Sequence, residues 1–364
     1  MLQLMAAAQS HSLLRQPPLN VTALFSTDGT AISKSALDLI SVNLLLPQLH
    51  FAMRNCSKVV LSLSNMAYQA VFESWYESVR QPPGCALIIA WDSVTCEYLE
   101  IHQLPAVCMK EPASLAETYA AQPRIFDPEF REIFAVAMAK MVFPWALLQH
   151  GCNVALSEMD VFWATDCLAE LEKEEHARYD VQVSNQVLYP GFHSSRGEVN
   201  IGFFYVRSTT ASLLMFADML AYAVTHALPL GSHRTFDQKL FDRFLRHQLA
   251  PGDEPCQWNH RFGDFAAFAA SKTWHQTLRW RRLPILLFPT NIGRRGSKLQ
   301  FHNATLAVHI SFGIKEPNLR MYCAHRLGLV SANSSYRPPP SLSSSQRFCF
   351  ELFDAHGNFT RRIG

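Results

Sequence analysis

Short, β-branched-rich apolar runs alternating with amphipathic stretches restrict the possible folds of this chain more than any other feature. "VTALFS" (21–26) and "KVVLSLS" (58–64) end in turn residues and read as strands, while "AISKSALDLISVNLLLPQL" between them sets Leu37, Ile40, Leu44 and Leu45 on one helical stripe. A strand, a helix and a second strand within about 45 residues form a βαβ unit. The alternation continues through a helical stretch at 66–79, an apolar run at 85–91, a long helix at 128–151 that Pro144 interrupts, and the strand "CNVALS" at 152–157. Repeated units of this kind predict an α/β fold: a doubly wound, mostly parallel, Rossmann-like sheet flanked by helices, with its ligand crevice at the carboxyl ends of the strands.

Further strands are expected at 199–208, 283–289 and 306–313, and helices at 210–227 and 234–245. From Ser331 the text turns to "SANSSYRPPPSLSSSQ", whose Ser and Pro content reads as a linker to a short tail. A net charge of +2 with both signs interspersed leaves no footprint for nucleic acid, and the basic triplet Arg279, Arg281 and Arg282 reads as a solvated face. One glycine in "STDGTA", where a dinucleotide fingerprint would need three, argues against an NAD oxidoreductase.

The stretch "ALSEMDVFWATD" (155–166) carries the chemistry. Glu158 and Asp160 follow a strand end one residue apart, and in an extended segment they would project to the same side and repel. A hard, oxygen-preferring cation such as Mn²⁺ or Mg²⁺ relieves that repulsion, particularly beside phosphate oxygens. A lone acidic residue in such a place is a turn or capping residue, and the pair by itself does not choose between these readings.

The ordered series "FREIFAVAMAKMVFPWALLQHGCNVALSEMDVFWATD", "YDVQVSN", "VNIGFFYVRS", "DQKLF" and "VHISFGIK" resembles the nucleotide-diphospho-sugar transferase family, which has the GT-A fold and includes xylosyl-, arabinosyl- and galactosyltransferases. The resemblance implies an N-terminal extension over 1–19, a transferase domain over 20–330 and a Ser/Pro-rich linker and tail over 331–364. Its Asp-x-Asp-x-x-Trp motif is matched by Glu158, Asp160 and Trp163, with Asp166 at a further family Asp; its Asn-x-Gly-Phe by Asn200, Gly202 and Phe203; its Asp-Gln by Asp237 and Gln238. Glu158 in place of Asp departs from the pattern, as does Thr165-Asp166-Cys167 where the family has Arg-Asp-Pro, so a catalytically weakened relative that binds nucleotide sugar or glycan is the second reading.

What the resemblance implies for the site is a metal-dependent, retaining glycosyltransferase that moves a sugar from a UDP-type nucleotide sugar to a glycan or glycoprotein. Asp160, Glu158 and His309 would hold Mn²⁺ or Mg²⁺. Thr27 and Asp28 would read the base, Lys140 would reach the nucleotide, and Lys315 the diphosphate. Asn200, Asp237 and Gln238 would serve the sugar. A strand-end carboxylate adds little to a core, so Asp160→Ala is expected to leave the fold intact.

The compartment divides two observations. No run reaches the ~20 apolar residues that span a bilayer and the N-terminus makes a poor signal peptide, which favours the cytoplasm. Five Asn-X-Ser/Thr sequons, at Asn20, Asn55, Asn303, Asn333 and Asn358, favour the Golgi or another secretory lumen, with any membrane anchor outside this sequence.

Overall fold

The computed structural model describes residues 47–79, 81–82, 84–90, 92–109, 128–185, 199–222, 236–246, 274–284, 287–289, 305–310, 350–353 and 359–363, together with 320, 324 and 329. The expected strand at 21–26, most of the helix expected at 31–49, and the Ser/Pro-rich stretch lie outside them. Two compact units emerge, the first from 1–59, 109–154 and 207–277, the second from 60–108, 155–206 and 278–364.

A seven-stranded sheet dominates the second unit. Its strands are β1 (Lys58–Ser64), β2 (Ala86–Ala90), β3 (Ala106–Cys108), β4 (Asn153–Ser157), β6 (Val181–Asn185), β7 (Val199–Val206) and β8 (Trp280–Arg282), in the order β3-β2-β1-β4-β7-β6-β8. β1, β2 and β3 pair in parallel, as do β6 and β8, while β6 and β7 are antiparallel. Every residue of β2 and β7 is buried, as expected of strands covered on both faces. The α/β, mostly parallel class expected from the sequence is therefore borne out. A helix at Ser93–Ile101 packs on β2 and β3. It is capped by Asp92, whose side chain accepts from the Thr95 amide at 2.7 Å. The stretch 66–79 is a 3₁₀ turn (Met66–Val71) followed by an α-helix (Phe72–Val79).

The first unit is helical. Pro47–Asn55, Pro128–Gln149, Thr210–Tyr222, Phe236–Arg246 and Trp274–Thr277 form helices, with the third packed on the second and the fifth. Pro47 opens its helix where a missing N–H costs nothing, and Pro144 removes one donor inside Pro128–Gln149 without ending the helix. Phe244 stacks on Trp274 at 5.7 Å, and the Trp274 indole donates to Asp218 at 2.6 Å. Gly151, at φ 81°, supplies the left-handed turn that leads from Gln149 into β4.

Two expectations are corrected. The strand expected at 283–289 falls instead at β8. Pro284 then accepts from the amides of Leu287 and Phe288 and makes a turn, and Leu283 and Phe288 are buried without belonging to a strand. The basic triplet is consequently not a solvated face. Only Arg279 is exposed; Arg281 and Arg282 are half-buried in β8, and Arg281 donates twice to the Gln182 side chain at 2.8 and 2.6 Å. In the tail, Phe350–Phe353 and Phe359–Ile363 pair as antiparallel strands β10 and β11.

Candidate functional site

Glu158, Met159 and Asp160 form a tight turn between β4 and β5 (Val161–Trp163), closed by the Val161 amide donating to the Glu158 carbonyl at 2.9 Å. The pair is thus not held in an extended segment, as the alternation reading supposed. The turn brings the two acids together from a different geometry. β5 pairs antiparallel with β9 (Ala307–His309), and Val161 stands opposite His309 in the register. The Asp160 carbonyl accepts from the Ile310 amide at 2.8 Å, which fixes His309 over the turn. The Glu158 amide donates to the Gly202 carbonyl at 2.8 Å and ties the turn to β7.

His309 Nε2 lies 3.2 Å from Asp160 Oδ1 and 3.6 Å from Glu158 Oε2. Asp160 is 5% and His309 4% exposed, a degree of burial that an acid and an imidazole tolerate only when paired. The second oxygen, Asp160 Oδ2, accepts from Arg320 Nη1 at 2.7 Å, and the same nitrogen donates to the Tyr68 hydroxyl at 2.7 Å. Burial favours the protonated carboxyl of Asp160, but the positive charges of His309 and Arg320 outweigh it and hold the group below its usual range. Burial likewise opposes a charged His309, yet the two carboxylates win and raise it. Tyr68 is pushed up to about 12 by burial, with Asp160 adding to the effect, so its phenol stays neutral.

Gly202 explains how the imidazole comes so close. A Cβ on Gly202 would fall on the His309 ring at Cε1 and lie 2.8 Å from Nδ1 and 2.9 Å from Asn200 Oδ1. That Asn200 oxygen accepts from the Gly202 amide at 2.8 Å, so the Asn-x-Gly pair shapes a niche for His309. Ser157, the residue before Glu158, accepts from two indoles, Trp163 at 3.0 Å and Trp75 at 3.4 Å. Trp163 thereby anchors the base of the turn. Asp166 caps the helix Cys167–Leu171, accepting from the amides of Leu168 and Ala169.

In the first unit Lys140 and Asp237, expected to act on nucleotide and sugar, pair with each other at 2.7 Å, both largely buried. Asp237 Oδ1 also accepts from the Gln238 amide at 2.8 Å. Thr27, Asp28 and Lys315 lie outside the described residues. Sequence reasoning missed Arg320 and Tyr68. Tyr68 was one residue among others of the helical stretch 66–79, Arg320 stands in no motif, and the contact that links Arg320 to the turn spans 160 positions.

Among the described residues Asp160 Oδ1, His309 Nδ1 and His309 Nε2 are buried with no hydrogen-bond partner. Two carboxylates and an imidazole whose donor atoms converge within 4.8 Å fit a divalent cation of the Mn²⁺ class, which accepts oxygen and nitrogen together. The site also falls where the strand order reverses between neighbouring β1 and β4, since Asp160 follows the end of β4 and Tyr68 the end of β1. In open α/β sheets such a reversal is where ligands bind, so the two acids and the imidazole stand at the position that the fold favours for a site.

The chain belongs to the nucleotide-diphospho-sugar transferase family, whose profile matches residues 85–318, more than half of its 364 residues. It is accordingly a glycosyltransferase. No curated protein matches the sequence. Among solved structures, the crystal structure of mouse xyloside xylosyltransferase 1 in its apo form aligns at a TM-score of 0.33 and 9% identity, covering 64% of this chain and 87% of that one, a likeness too slight to add to the family assignment.

Proposed function

We propose that the chain transfers a sugar of the xylose, arabinose or galactose class from a UDP-type nucleotide sugar to a glycan or glycoprotein acceptor, with retention of configuration and with a divalent ion. The observation that carries this reading is the convergence of half-buried Glu158 with buried Asp160 and His309 at the strand-order reversal. A cation held there supplies the Lewis acidity that offsets charge on a departing diphosphate. The protein's own share is to hold those donors rigid: the Ile310 and Gly202 backbone contacts fix the turn, and Gly202 admits the imidazole. Lys140 and Asp237 act as a unit, with Gln238 beside them, on nucleotide and sugar hydroxyls.

Donor hydrolysis across a panel of UDP-sugars, with Mn²⁺ and with chelator, tests the reading. Metal-stimulated release of UDP from one pentose or hexose donor is the expected result. Saturable donor binding without turnover in any metal would instead place the chain as a binding relative, the outcome that Glu158 in place of Asp keeps in view.

For its compartment we propose a secretory lumen. Cys96 and Cys108 form a disulfide between the helix Ser93–Ile101 and β3, and Cys56 and Cys85 are also disulfide-bonded, which suits an oxidising environment. Among the described residues no helix is long and apolar enough to cross a membrane. Asn55 closes the helix Pro47–Asn55 at an exposed position within its sequon. Protein isolated from its own cells is expected to shift in mobility on glycosidase digestion, with Asn55 or Asn333 occupied by mass spectrometry; no shift and fully reducible, unpaired thiols would place it in the cytoplasm.

A further inference from the structure

We propose that Arg320, steadied by Tyr68, is a positioning residue that sets the metal selectivity of the site by restricting Asp160 to one ligating oxygen. The inference rests on the cation-binding reading of Glu158, Asp160 and His309. Asp160 presents two oxygens in different situations. Oδ2 is held by a charge-assisted hydrogen bond from Arg320 Nη1 at 2.7 Å, while Oδ1 faces His309 Nε2 at 3.2 Å. The two hydrogens of Nη1 are both directed, one to Oδ2 and one to the Tyr68 hydroxyl at 2.7 Å, and the guanidinium carbon lies 5.5 Å from the Tyr68 ring centroid. Arg320 is 8% exposed, so Oδ2 cannot turn toward a cation without breaking a charge-assisted hydrogen bond from a buried guanidinium.

A single oxygen from Asp160 suits one class of ion. Mg²⁺ and Mn²⁺ accept six ligands in compact octahedral geometry and are served by monodentate carboxylates; Ca²⁺ takes six to eight oxygens in looser shells and gains from bidentate ones. Arg320 withholds the second oxygen and so disfavours Ca²⁺ by geometry. Its positive charge, by contrast, opposes every divalent cation alike. The ratio of Ca²⁺ to Mn²⁺ affinity therefore reports the geometric effect and cancels the electrostatic one.

The test is Mn²⁺ binding to the full chain, followed by electron paramagnetic resonance of free Mn²⁺ and by displacement with Ca²⁺, in wild type, Arg320→Met, Arg320→Lys and Tyr68→Phe, with circular dichroism reporting the fold. Arg320→Met is expected to shift the Ca²⁺/Mn²⁺ affinity ratio toward Ca²⁺ by about tenfold or more, the scale on which partners of metal ligands alter affinity. Arg320→Lys, which keeps the charge but loses the planar fork, and Tyr68→Phe, which removes the second anchor, should each shift it by a smaller factor in the same direction. Tyr68→Phe carries the test if Arg320→Met does not fold. Folded variants that bind Mn²⁺ with an unchanged ratio overturn the role of Arg320 and leave the metal site standing; a wild-type chain that binds no Mn²⁺ overturns both.

Discussion

Asp160→Asn is expected to reduce Mn²⁺-stimulated turnover of the preferred UDP-sugar by at least about a hundredfold, near 2.7 kcal/mol of transition-state stabilisation, while the protein stays folded. Asparagine keeps the volume and one carbonyl oxygen, so Arg320 retains an acceptor, but the negative charge that faces a cation is gone. Steady-state kinetics at saturating Mn²⁺ check it, and turnover within about tenfold of wild type would exclude a direct ligand role for Asp160. Asp160→Ala is a different experiment. The expectation that a strand-end carboxylate contributes little to stability does not survive its placement, because Asp160 is 5% exposed and neutralises a buried Arg320. Truncating it removes both the charge and the Oδ2 acceptor that Arg320 Nη1 holds at 2.7 Å, a loss of about 3 kcal/mol or more, so the alanine variant should lose activity partly through unfolding.

Gly202→Ala is expected to cost about 1–3 kcal/mol of stability and to weaken Mn²⁺ binding in the same variant, because the added methyl occupies the place of the His309 ring. Alanine in a strand is otherwise mildly favourable relative to glycine, so the sign of the effect comes wholly from the close approach. His309 is 4% exposed and has no room to retreat without leaving Asp160. Chemical denaturation of the single and double variants isolates the cause: in a His309→Ala background most of the Gly202→Ala penalty should vanish, giving a coupling energy of at least about 1 kcal/mol. Additive effects would show that the clash is absorbed elsewhere.

How much of this could be read beforehand depended on the range of the forces involved. β1, β2, β4 and the helix Pro128–Gln149 were visible because their apolar residues recur at strand or helix period within a few positions. Glu158, Asp160 and His309 were visible as residue types suited to a metal. Their turn geometry was not. Alternation cannot distinguish an extended segment from a strand end that folds back, and that choice is made here by β9 pairing with β5 from 144 to 148 positions downstream. Nor was β8 visible, since a half-buried edge strand of Trp280, Arg281 and Arg282 carries no apolar alternation and is held by Gln182 across the sheet. The Lys140–Asp237 pair spans 97 positions and Arg320–Asp160 spans 160, and no local pattern encodes which charges will meet at such distances.

The serine at the base of the turn has a further consequence. Ser157 receives hydrogen bonds from Trp75 and Trp163 and is followed directly by Glu158, so two of the chain's seven indoles are mechanically tied to the segment that a bound cation or donor would draw on. Indole emission responds to the loss or strengthening of an N–H hydrogen bond, and both rings are almost wholly shielded from water. A natural optical readout is thus expected at the proposed metal site: occupancy should be traceable by tryptophan fluorescence, without a label and without turnover.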